Sequence, residues 1–109
     1  MTNVQYLLTC LMEECAEVAQ RCSKAIRFGL DEVHLEDGNT LTNERRIVDE
    51  ICDLRGVVSE LQNYGVFMDL NIPGYVNDRR QAKINKLRAF MKYSRDRGIL
   101  APMVNCEGD

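Results

Sequence analysis

Three stretches of the chain repeat apolar residues at helical spacing, and the segments between them do not. From Val4 to Ile26 the positions Val4, Leu8, Leu11, Cys15, Val18, Cys22 and Ala25 step by four and three in turn. That rhythm predicts one long amphipathic helix, about 35 to 40 Å in length at ~1.5 Å per residue. Thr2 or Asn3 can cap its start, and Gly29 can end it after the basic residues Lys24 and Arg27. A second helix is expected from Thr42 or Asn43 to Tyr64, with Ile47, Ile51, Leu54, Val58 and Leu61 as its seam and Gly65 as its stop. Pro73 pushes Ile72 out of the helical region, so "VFMDLNIPGY" is a bend. The third helix then runs from about Tyr75 to Arg97, turning Val76, Leu87, Phe90 and Met91 inward, and ends before Gly98.

Between the first two helices lies "GLDEVHLEDGNTLTN", residues 29–43, rich in Gly, Asp and Asn and without a sustained period. It reads as a long loop with room for one short helical turn, and loops of this length in compact domains are often functional. No stretch alternates with a strand's period. The predicted class is therefore all-α, a bundle of three long helices joined by short segments, in which residues 1–98 form one domain and 99–109 a tail. Three helices of such amphipathicity in 109 residues leave apolar surface to cover, so a homodimer or homotetramer is expected.

Composition narrows the class without changing it. With 45% hydrophobic and 28% charged residues the chain reads as an ordinary folded protein. It has no apolar run near the ~20 residues of a membrane span, and "MTNVQYLLTC" lacks the basic start of a secretory signal, so the expected address is the cytoplasm. Five cysteines, Cys10, Cys15, Cys22, Cys52 and Cys106, form no CxxC pair and suggest neither a disulfide framework nor a zinc clip. Net charge is -3, unevenly spread: residues 1–64 carry twelve acids against six Lys/Arg, and residues 65–109 carry five against eight. Either the two halves attract one another in the fold, or the acids bind a cation and the bases an anion.

The acids have a pattern. On a helical wheel at ~100° per residue, Glu14 and Glu17 lie roughly 70° and 130° from the centre of the first seam, and Glu50 and Asp53 lie at about the same offsets from the second. Two helices thus carry the same i, i+3 acidic pair on the same shoulder. If they pack side by side, four carboxylates converge, and such a group repels itself unless protonated or neutralised by a cation. Hard oxygen ligands suit Mg²⁺ or Mn²⁺. A di-iron bundle would need a Glu-x-x-His motif on two helices, and the only histidine, His34, is in the loop. A single ExxE is most often a solvated helix face; two matched pairs beside apolar seams are what raise the metal reading above it. Glu13, further round the wheel, is left to solvent. Eight of the 14 Lys/Arg lie between Arg79 and Arg97, and Lys83 falls among the inward positions, where a lysine either snorkels to water or meets an anion.

These residues resemble a known family. "EECAEV" and "DEICDL" are similar to the ExxE and ExxD motifs of the MazG-like nucleotide pyrophosphohydrolases, an all-α superfamily that includes dimeric dUTPases and dCTP pyrophosphatases, and "QRCSKAIRFGL" and "AKINKLRAF" extend the likeness over most of residues 5–97. The resemblance implies that Glu14, Glu17, Glu50 and Asp53 hold Mg²⁺, with Glu17 and Glu50 catalytic, and that metal-activated water cleaves a nucleoside triphosphate to monophosphate and pyrophosphate. Lys24, Lys83, Lys86 and Arg21 would then be contacts to substrate phosphates. Tyr6, Phe28 and Tyr64 can each stack on a base or fill core, core being the commoner use. Two other readings compete. One is a helical nucleic-acid-binding or regulatory module that uses the basic last helix, against which stands a pI of about 5.2. The other is a catalytically inactive, nucleotide-binding member of the same family.

Overall fold

The computed structural model describes residues 1–33 and 40–103, and over those residues the chain is all-α. Helix α1 spans Asn3–Phe28, α2 spans Asn43–Asn63, a single 3-10 turn covers Met68–Asn71, and α3 spans Pro73–Asp96. Among the described residues the only β pairing is an isolated bridge between Val33 and Thr42, and no helix is long and apolar enough to cross a membrane. His34 and Cys106 lie outside the described residues. The chain forms two compact units, residues 1–67 and the segment from Met68 onward.

Local chemistry sets the helix limits. Thr2 caps α1 in a capping box: its side chain accepts from the Gln5 N–H at 3.1 Å while its own N–H donates to Gln5 Oε1 at 2.8 Å. Thr42 caps α2 by accepting from the Arg45 N–H at 3.1 Å. At the end of α2, Gly65 takes φ 80°, a left-handed conformation that costs a glycine little. The Val66 N–H then bonds Leu61 O at 3.3 Å and the Gly65 N–H bonds Gln62 O at 2.9 Å, the paired bonds of a Schellman motif. The same pairing closes α3, where Ile99 donates to Ser94 O and Gly98 to Arg95 O. Pro73 opens α3 as its first residue, where its missing N–H costs nothing.

The first unit is an antiparallel helical hairpin. Asn3 Nδ2 donates to Tyr64 Oη at 3.4 Å at one end, and Asn43 Nδ2 donates to Gly29 O at 2.8 Å at the other. α1 meets α2 along Val4, Leu7, Leu11, Glu14, Val18, Arg21 and Ala25, all half-buried or buried. This heptad step is that of a left-handed pair crossing at ~20°. The facing line on α2 is Asn43, Ile47, Glu50, Leu54, Val58 and Leu61. The contact line therefore differs from the one read from hydrophobicity. Leu8, Cys15, Cys22 and Ile51, expected in the seams, are exposed, while polar Glu14, Arg21, Asn43 and Glu50 take seam positions.

Asn43 ties the loop ends to α2. It is 2% exposed, its amide donates to Gly29 O and to Glu32 Oε1, and its N–H donates to Glu32 O at 3.0 Å. Leu30 O accepts from the Glu44 N–H beside it. Asn43→Ala is expected to lower stability by ~1–3 kcal/mol, because it removes the amide's bonds to the Gly29 carbonyl and to Glu32 Oε1 from a buried position. Urea denaturation followed at 222 nm measures this, and an unchanged midpoint would contradict it.

In the second unit α3 packs on the 3-10 turn, with Val76 and Ile84 half-buried. Leu87, Phe90 and Met91, expected to point inward, are exposed. An open groove of about 670 Å³ runs beside Leu70, Tyr75 and Val76.

Candidate metal centre

Antiparallel packing brings the two acidic pairs together. Glu14 and Glu17 are one turn apart on α1, Glu50 and Asp53 one turn apart on α2, and both pairs lie on the same-sense shoulder of their contact line. Glu14, Glu50 and Asp53 each present an oxygen, and the three oxygens lie within 4.8 Å of one another. Glu14 and Glu50 are half-buried in the seam; Asp53 and Glu17 stand at its exposed edge. Glu17 joins the group through a hydrogen bond to the Glu50 carboxyl.

Crowding of like charge raises the pKa of two members. Partial burial first, then the charges of Asp53, Glu50 and Glu13, raise the Glu14 pKa above its usual 4.5. The hydrogen bond to Glu50 comes first for Glu17, followed by the Glu50 and Glu14 charges, and it too is raised from 4.5. Arg21 Nε lies 3.7 Å from Glu50 Oε1, with the two side chains 28% and 13% exposed. The Oε2 atoms of Glu14 and Glu50 are both shut off from solvent and meet no hydrogen-bond partner among the described residues.

The donor set fits a hard divalent cation. Ligands on opposite sides of Mg²⁺ stand ~4.2 Å apart and those around Ca²⁺ ~4.6–5.2 Å, so three oxygens within 4.8 Å span one ion with little adjustment. All the donors are carboxylate oxygen, with no sulfur or imidazole among them, which favours Mg²⁺, Mn²⁺ or Ca²⁺ over zinc or copper.

The acids also leave a signature in stability. Glu14 and Glu17 hold protons more readily in the folded chain than in the unfolded one, so their contribution is most favourable below pH 4.5 and is lost as pH rises through the raised values. Without divalent ions, Glu14→Gln, which cannot ionise, is expected to gain Tm over wild type, with a gap that widens from pH 4.5 to 8. A gap that narrows with rising pH would contradict the crowding.

The remaining expected site residues fall elsewhere. Arg21, expected at a substrate phosphate, is paired with Glu50. Lys24 is half-buried on α1, one turn beyond Arg21. Lys83 and Lys86 belong to the second unit, where with Arg79 and Arg80 they line the groove on α3; among the described residues no acid lines it. Tyr6, Phe28 and Tyr64 are exposed rather than core, and Phe28 lies under the Arg27 guanidinium at 5.1 Å. The Arg21–Glu50 pair was missed from sequence. Its signal was the heptad series Leu7, Glu14, Arg21, which places a cation and an acid on the line that α2 covers.

Comparison of the chain with protein-family models, with curated proteins and with solved structures returns no significant match.

Proposed function

We propose that this protein is a Mg²⁺-dependent nucleoside triphosphate pyrophosphohydrolase, converting a (deoxy)nucleoside triphosphate and water to the monophosphate and pyrophosphate. The observation that carries the reading is the convergence of Glu14, Glu50 and Asp53, with Glu17 bonded to Glu50, at the edge of the α1–α2 seam. Its support from sequence is the likeness of "EECAEV" and "DEICDL" to the motifs of the MazG-like enzymes.

Each residue has a role in this scheme. Glu14, Glu50 and Asp53 are the ligands, and their excess negative charge is what a bound cation relieves. A divalent ion held there supplies the charge that phosphate oxygens need and makes bound water more acidic. Arg21 holds one Glu50 oxygen, so the carboxylate keeps a fixed direction. Glu17 lies at the exposed edge with a raised pKa, and we assign it the proton taken from the attacking water. Lys24, on α1 beyond Arg21, is the proposed phosphate contact.

Hydrolysis in ¹⁸O-water tests the bond of attack. Label is expected in the monophosphate for attack at the α-phosphorus or in the pyrophosphate for attack at the β-phosphorus, both of which give the proposed products. Label in inorganic phosphate beside a diphosphate would overturn the proposal.

A second reading has its own observation. The α3 groove is lined by Arg79, Arg80, Lys83 and Lys86 and, among the described residues, by no acid, a charge pattern that suits a polyanion, as the nucleic-acid-binding alternative requires. Affinity for DNA or RNA that falls steeply with salt and ignores Mg²⁺ would favour it.

A further inference from the structure

The groove on the second unit has no part in the metal reading, and its lining is of two kinds. Leu70 and Tyr75, 50% and 57% exposed, and half-buried Val76 give it apolar surface. Arg79, Arg80, Lys83 and Lys86 give it charge. Among the described residues none of these four cations forms an ion pair, whereas Lys92 on the same helix is bonded to Asp96 at 2.8 Å. Like charges one turn apart on a helix repel, and an anion laid across them relieves the repulsion.

Both kinds share one side of α3. Counted at ~100° per residue, Lys83 and Lys86 lie within ~40° of Arg79, and Val76, Leu87 and Phe90 within ~80° of it. The two acids of the helix, Asp78 and Asp96, both lie ~100° round from Arg79, in the sense opposite to Val76. Lys86 Nζ stands 5.9 Å from the centre of the Phe90 ring, so charge and apolar surface meet directly. Leu87 and Phe90, 46% and 58% exposed, carry the mixed surface on beyond the groove.

We propose that this side of α3 is a docking site for an acidic amphipathic helix of a partner protein, with apolar side chains seated against Leu70, Tyr75 and Val76 and carboxylates paired with Arg79, Lys83 and Lys86. Charge complementarity is the first argument: the cations have no acid of their own, and their hydrogen bonds to carboxylates are charge-assisted. Shape is the second. From Tyr75 to Lys86 the lining runs ~17 Å along α3, about three turns, and an open groove of about 670 Å³ receives a helix laid along it, whose anchors recur at i, i+4 and i+7. The mixture is the third, and it chooses the partner. A phosphate backbone uses the cations and leaves Leu70 and Val76 idle. A bilayer takes up an apolar face with cations at its margins, whereas Lys83 falls between Phe90 and Val76 on the wheel. The inference goes beyond the proposed hydrolysis and stands whether or not the acids of the first unit hold a metal.

The test uses the full chain and a synthetic probe, a fluorescein-labelled helical peptide of about four turns with Leu at i, i+4 and i+7 and Glu on the flanking positions. Fluorescence anisotropy is expected to show micromolar binding. Exchanging the peptide's Glu for Gln, and separately its Leu for Ser, is expected to weaken binding at least ~10-fold each. On the protein, Val76→Ser and the pair Lys83→Glu and Lys86→Glu are expected to do the same, while Arg88→Glu, on the opposite side of α3, leaves binding unchanged. If Val76→Ser fails to fold, the surface charge variants and the serine-substituted peptide still decide. No binding at ~100 µM peptide, equal loss in Arg88→Glu, or full affinity of the serine-substituted peptide overturns the proposal. Tighter binding of single-stranded DNA or of phosphatidylserine vesicles than of the peptide overturns it too.

Discussion

Glu50→Gln is expected to abolish Mg²⁺-dependent pyrophosphate release while leaving the helical content unchanged. Glu50 is the centre of the cluster: it offers an oxygen to the group formed with Glu14 and Asp53, bonds Glu17, and receives Arg21. The amide keeps the size of the side chain and its place in the seam, but it removes the charge and one of the two acceptor oxygens. Residues that merely orient a metal ligand cost 10–100-fold when lost, so a ligand in this position should cost at least ~100-fold in kcat/KM. Activity is measured as pyrophosphate released per enzyme, and folding by the circular dichroism spectrum. Full activity in a folded Glu50→Gln protein would remove the cluster from catalysis.

Leu61→Ala is expected to have the largest effect on stability, a loss of ~2–5 kcal/mol. Leu61 is 0% exposed, the one large side chain fully enclosed among the described residues. It also supplies the carbonyl that Val66 bonds in the cap of α2, in a motif where these two side chains commonly touch. Truncation removes apolar burial and leaves a cavity at the end of the hairpin where Asn3 reaches Tyr64. For a domain with ~5–15 kcal/mol in total, and ~4–8 °C of Tm per kcal/mol at this size, the shift is expected to exceed ~8 °C. Calorimetry measures it, and a shift of under ~3 °C would mean that this end of the hairpin contributes little to the core.

The helices were legible because their signals are local. Thr2, Thr42, Gly65 and Gly98 act within a turn of themselves, and each sits at or beside the boundary it was expected to mark, whereas Pro73, read as part of a bend before a helix from about Tyr75, is itself the first residue of α3. The seams were shifted for a physical reason. Hydrophobicity locates the centre of all apolar residues on a helix, whereas the contact line depends on what the neighbouring helix covers. On α1 the broad uncharged half drew the expected seam toward Leu8, Cys15 and Cys22, and away from Glu14 and Arg21, which α2 in fact partly covers. Glu14, Glu50 and Asp53 still come together because the acidic pairs turn together: an equal rotation of both helices keeps them on facing shoulders.

Less was legible where a contact depends on distant partners. The role of Asn43, which bonds Gly29 O and Glu32 Oε1, has no local period to announce it. Leu87, Phe90 and Met91 form an apolar stripe that reads as core, yet a stripe states only that a helix has an apolar side.

The proposed hydrolysis is tested most directly by one reaction. The protein is to be incubated with Mg²⁺ and a panel of ribo- and deoxyribonucleoside triphosphates, with and without chelator, and the products resolved by anion exchange. Monophosphate and pyrophosphate in equal amounts, formed only with the metal and lost in Glu50→Gln, are expected for at least one nucleotide. Diphosphate and phosphate, or no turnover of any nucleotide by protein that binds Mg²⁺, would contradict it.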